Sequence, residues 1–162
     1  MTAYYGTLGQ PNSAVLQNHA GNMTVVSTFA LTAAFAIGDT ITMCFLPDNA
    51  VVTNVKIATD TALDTNAAST IAYDVGDAGS ANRFIAAVAQ GNNIPLPITS
   101  SLFSATLGYQ YTTSAGETKN AIIVTIHTAP ATGATTGTLR LAVDYSMQAL
   151  GPYPGSVAQT DI

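Results

Sequence analysis

The side chains able to do chemistry are few and scattered. The chain of 162 residues holds one cysteine, Cys44, and two histidines, His19 and His127. A thiol beside an imidazole can form a nucleophile–base pair, but nothing in the sequence turns either histidine towards Cys44. Cys44 falls inside an alternating strand pattern and reads as a small buried thiol. His127 shares a strand face with Ile123 and Thr125, and His19 reads as a polar contact of an N-terminal arm. The carboxylates Asp60, Asp64, Asp74 and Asp77 surround two loops. Oxygen-rich loops can hold calcium, but the D-x-[DN]-x-[DN]-G run with a glutamate at position twelve is absent. Side-chain capping of turns accounts for these aspartates. Glu117 is the sole glutamate and there is no tryptophan, so paired carboxylates with aromatic sugar platforms are missing. So are GxxxxGK[ST], GxGxxG, HExxH, CxxC and GxSxG. The expectation is a chain that is not an enzyme and that uses no cofactor and no metal.

Arg83 is one of only four Lys and Arg residues. It follows Asp77-Ala78-Gly79-Ser80 and is expected to pair with Asp74 or Asp77 and pin that loop, or to contact a neighbouring subunit. Tyr4, Tyr5 and Tyr153 are the candidate interface aromatics, since buried aromatic anchors dominate interface energetics.

Composition restricts the partners. Charged residues make up 8% of the chain, against about 25% in ordinary soluble domains. Ala and Thr number 27 and 24. The formal net charge is −5, and four cations do not neutralise the roughly 6–10 phosphates of a typical duplex contact. No nucleic-acid partner is expected. No stretch is apolar for the ~20 residues that a helical span requires, and no membrane partner is expected. One cysteine excludes an internal disulfide framework.

Residues 1–22 lack periodicity and read as an extended arm. Residues 23–150 carry the strands of a β-sandwich, and residues 151–162 read as a tail. Alternation marks residues 23–31, broken by Ser27. It marks 40–46, with Ile41, Met43 and Phe45 opposed to Thr40, Thr42 and Cys44. It marks 51–60, with Val51, Val55 and Ile57 on one face, and 70–75, with Ile71, Tyr73 and Val75. Ser80 begins a predicted short helix over 81–90, where Phe84, Ile85 and Val88 sit at spacings of three and four. Residues 107–111 read as a short strand. Residues 121–128 and 138–149 read as a hairpin. The strands lie too close together for βαβ crossovers. An all-β antiparallel sandwich of jelly-roll type, with one short helix and extended N- and C-terminal arms, follows.

Several segments together resemble a known family. They are Phe35-Ala36-Ile37-Gly38-Asp39-Thr40-Ile41, Leu46-Pro47-Asp48-Asn49-Ala50-Val51-Val52, Ile71-Ala72-Tyr73-Asp74-Val75-Gly76-Asp77 and Asn82-Arg83-Phe84-Ile85. Their order resembles that of capsid decoration (cement, or head-stabilisation) proteins of tailed bacteriophages. The resemblance implies a jelly-roll module on the outside of an icosahedral shell in the virion. Its implied partners are the major capsid protein and copies of itself, as a homo-oligomer with a trimer favoured over a dimer. It brings no catalytic residues. The alternatives are a tail, fibre or other virion subunit, and a carbohydrate- or calcium-binding module.

Overall fold

A computed structural model describes residues 3–8, 22–100, 108–111 and 120–147. They form nine strands: β1 (Ala3–Leu8), β2 (Asn22–Leu31), β3 (Thr40–Phe45), β4 (Ala50–Thr59), β5 (Ala72–Asp77), β6 (Ser80–Ala89), β7 (Thr99–Ser100), β8 (Ala121–Thr128) and β9 (Gly137–Met147). The first sheet has the order β1-β3-β8-β5-β6 and the second β2-β9-β4-β7. Neighbours are antiparallel except β1, which runs parallel to β3 and sets Tyr4 opposite Ile41 and Tyr5 opposite Thr42. The architecture is the expected all-β sandwich of jelly-roll type.

The apolar faces of the two sheets meet. Ile41, Met43, Tyr73, Val75, Ile122, Val124 and Ile126 come from the first sheet, and Val52, Val55, Ile57, Leu139, Leu141 and Val143 from the second, all buried in one core. Full burial of a Val, Leu or Ile side chain stabilises by about 1.5–3 kcal/mol, so these rows hold the layers together. Ser27, which breaks the apolar parity of β2, is buried, and its hydroxyl donates to the Met43 carbonyl at 2.6 Å. It thereby joins the two sheets through a satisfied polar contact.

The structure corrects several expectations. Residues 81–90 are not a helix. Residues 81–89 lie in β6, antiparallel to β5, with register shifts between Tyr73 and Val75 and between Val75 and Asp77. Extra residues in a bulged strand change which side chains share a face, and this produced the helix-like spacing of Ile85 and Val88. The bulge at Ala87 has φ 46° and its N–H donates to Asp74 Oδ1 at 2.7 Å. Ser80 opens this strand rather than capping a helix.

The last two strands are not a hairpin. β8 pairs with β3 and β5, whereas β9 pairs with β2 and β4, so residues 129–136 cross from one sheet to the other. Bulges also alter two strand faces. A register shift between Thr42 and Cys44 turns Cys44 and Leu46 into the core and leaves Phe45 half-buried. Another between Val52 and Asn54 buries Val52 in place of Val51. Of the expected strand at 107–111, residues 108–111 are described; they run beside β4 with a single bridge, Gln110 to Val51.

Candidate functional site

Four connections gather at one end of the sandwich: residues 32–39, 60–71, 90–98 and 129–136. Each follows one strand and precedes another whose ends are in register there, as with Leu31 opposite Gly137 and Ala72 opposite Thr128. Loops 60–71, 90–98 and 129–136 are hydrogen-bonded to one another, and loop 32–39 is bonded to β8 through Gly38 and Asp39.

Asp64 is the centre of that bonding. It is buried, and its two oxygens accept five backbone N–H groups. Oδ1 accepts from Asn66 and Thr132, both at 3.0 Å. Oδ2 accepts from Thr70 and Ala131 at 2.8 Å and from Ile71 at 3.4 Å. Burial pushes the carboxyl pKa up, but the N–H groups of Thr70, Thr132, Ala131 and Asn66 outweigh it and hold it down at about 2. The charge is therefore used inside the fold. Gln90 adds a second tie: its Oε1 accepts the Leu63 N–H at 2.8 Å and its Nε2 donates to the Asp64 carbonyl at 2.9 Å.

Each loop also sends an apolar side chain inward. Phe35 is buried and stacks on Phe29 with centroids 6.0 Å apart. Leu63 and Leu96 are buried, and Ala134 packs against the same core. Leu96 is clamped by its neighbour Thr59. Thr59 N donates to the Leu96 carbonyl at 3.1 Å, and Leu96 N donates to Thr59 Oγ1 at 2.8 Å. With Pro95 and Pro97 fixing φ on both sides, Ile94 and Ile98 are left facing water at 54% and 75% exposure, and Ile37 at 67%. The sequence reading missed these three residues. The Ile-Pro-Leu-Pro-Ile alternation around one inward leucine was the signal that could have found Ile94 and Ile98.

The opposite end holds Arg83. Its Nε donates to Asp77 Oδ2 at 2.6 Å and its Nη2 to Asp77 Oδ1 at 3.1 Å. The pairing with Asp77, one of two expected partners, is thus present. Asp77 also accepts Gly79 N and Ser80 N at 2.9 Å and the Tyr111 hydroxyl at 3.2 Å. The guanidinium lies 4.0 Å from the Tyr109 ring centroid, and Tyr109 meets Tyr111 edge-on at 5.1 Å. The Asp77 hydrogen bond and charge raise the Arg83 pKa against the opposing effect of burial. Burial, then the Asp77 charge and hydrogen bond, push the Tyr111 hydroxyl well above its usual range. The unit is self-satisfied and closes the β5–β6 turn.

Other expected groups are separate. His127 is half-exposed and its Nδ1 lies 2.8 Å from Asp74 Oδ2. Cys44 is buried, and burial pushes its thiol up to about 12. Among the described residues, no group of three or more His, Cys, Asp or Glu side chains is placed to hold a metal. No described helix is long and apolar enough to cross a membrane. Tyr4 and Tyr5 lie in β1 at the edge of the first sheet. His19 and Tyr153 lie outside the described residues.

The chain matches no protein-family model and no curated protein. It is similar to solved structures. A chain of the cyanophage Pam1 capsid asymmetric unit is 32% identical with a TM-score of 0.61, over 86% of this chain and 96% of that one. A chain of the capsid of Ralstonia phage GP4 is 26% identical with a TM-score of 0.72, over 92% of this chain and all of that one. At that identity and coverage, on a shared two-sheet fold, the chain belongs to the bacteriophage capsid-related proteins and has a structural role in the virion.

Proposed function

We propose that the chain is a decoration protein that binds the outside of an assembled phage shell, made of the major capsid protein, and stabilises it without catalysing a reaction. The observation that carries this reading is the alignment over 96% of a chain from a capsid asymmetric unit. The chemistry supports it. Lys56 is bonded to Asp144 and Arg83 to Asp77, and Asp64 is enclosed by backbone donors. A surface with little free charge suits a packed assembly, where an unpaired buried charge costs several kcal/mol.

The mechanism is linkage. A protein that binds the assembled shell and not its separated subunits stabilises assembly by about 2.7 kcal/mol per site at a hundredfold excess over Kd. Symmetric oligomers, with a trimer favoured, multiply that effect through several simultaneous contacts. Tyr4, Tyr5 and Tyr153 are proposed contact residues of the terminal segments 1–22 and 151–162.

The test uses heads prepared from a deletion of the gene. Adding the purified full chain should give saturable co-sedimentation at regular lattice sites and raise the temperature of head disruption. Localisation on tails at a few copies per particle would establish the tail or fibre alternative instead.

A further inference from the structure

We propose that the four-loop end of the sandwich is the face that seats on the shell, and that its partner there is an uncharged protein surface. The inference rests on the function proposed above and adds the orientation of the molecule.

Three observations converge on this end. First, it carries little exposed charge. The loops 32–39, 60–71, 90–98 and 129–136 contain no Lys, Arg, His or Glu, and of their three aspartates Asp39 and Asp64 are buried. Asp60 is the one exposed charge of the four loops. Depletion of charge marks the core of protein interfaces. Second, it is preformed. The Asp64 carboxylate joins residues 66–71 to residues 131–132, and Gln90 and Thr59 fix the neighbouring loops. Little ordering entropy is then lost on docking. Third, it presents apolar anchors. Ile37 stands on the β3 side and Ile94 and Ile98 on the β6–β7 side, all three exposed, with alanines and threonines between them.

The occupant follows from charge. A polyanion or an anionic lipid surface needs cations, and these loops have none. A second copy is equally poor in exposed charge, but two identical end faces meet only as a two-fold pair, which would hide the face from a lattice. A neutral shell surface is the partner this end fits.

The test compares three full-length proteins on heads lacking the chain. Ile98→Asp with Thr132→Glu places two charges on the face, and Ala81→Glu places one at the opposite end, where Ala81 is exposed. Circular dichroism and urea unfolding confirm that each folds. The double variant should lose at least about tenfold in affinity for heads, with Ala81→Glu unchanged. Wild-type affinity in the double variant would overturn the inference while leaving the proposed function intact. A double variant whose mass by light scattering halves, with head binding retained, would overturn it in favour of a two-fold pair of copies. Failure of the wild-type chain itself to bind heads would remove the proposed function and this inference together.

Discussion

The Asp64 carboxylate accepts the Ala131 backbone N–H at 2.8 Å across 67 positions of sequence. One side chain thereby fastens the β4–β5 connection to the β8–β9 connection, and an isolated bridge between Asp64 and Gly133 runs alongside.

Replacement Asp64→Asn removes the charge and turns an amide N–H₂ towards backbone donors. Leaving such donors unsatisfied costs about 1–3 kcal/mol. Urea unfolding should show a loss on the order of 2–3 kcal/mol. A loss below about 0.5 kcal/mol would mean that the loops hold without it.

The same group sets an acid limit. Its pKa is lowered from 3.8 to about 2 on folding. The stabilisation is therefore complete above about pH 4 and is lost as pH falls through the interval towards 2, on the order of 2 kcal/mol in all. Asp144, where burial raises the pKa but the hydrogen bonds of Thr24, Lys56 and Asn54 and the Lys56 charge together outweigh it and lower the pKa, acts in the same direction. Unfolding free energy measured from pH 5 to pH 2 should fall in wild type and fall less in Asp64→Asn.

Arg83 is held by two hydrogen bonds and a ring face, a geometry that an ammonium group does not reproduce. Arg83→Lys should cost about 1–2 kcal/mol, close to the cost of Arg83→Ala. Rescue to wild-type stability by lysine, measured by thermal unfolding, would show that charge alone matters.

Gly76 precedes the β5–β6 turn and Gly79 lies in it, and they should respond unequally. A Cβ at Gly76 would stand 1.9 Å from the Ser80 carbonyl oxygen and 2.5 Å from the Ala81 carbonyl carbon, both backbone atoms. At Gly79 the nearest atoms are Arg83 Nη2 at 3.1 Å and Asp77 Oδ1 at 3.3 Å, which are side-chain ends. Gly76→Ala should abolish soluble folding or cost more than about 3 kcal/mol, and Gly79→Ala should cost less than about 1 kcal/mol. Equal urea midpoints for the two variants would contradict this.

The Cys44 thiol, raised to about 12 by burial, is expected to be inert. An aromatic disulfide reagent at pH 8 should label no thiol in the native chain and one per chain in urea. Rapid native labelling would mean that β3 opens.

The sequence made legible what local pattern encodes. Alternation located β2, β3, β4, β8 and β9 within a few residues, because each buries one face over a regular stretch. The Arg83–Asp77 pair was accessible because six positions and a turn separate the partners. The helix assigned to 81–90 failed because bulges in β6 destroy a period of two. The hairpin failed because pattern tells which face is apolar, not which sheet a strand joins. The loop end was only partly legible. Turn capping by Asp64 was readable and is present at Asn66, and the Ile-Pro-Leu-Pro-Ile run carried a signal for Ile94 and Ile98. But Asp64, Gln90, Thr59 and Leu96 come together only after both sheets form, so the long-range enclosure of the carboxylate had no local signature.

The irregular margin of β6 has a consequence for production of the protein. Copies of a β-rich chain with so few ionised groups are prone to merge edge to edge into fibres, and charged edges are the usual defence. Here the kinks at Ala87 and beside Val75 interrupt the ladder that a stray strand would need. At this edge, backbone shape stands where other proteins place lysines.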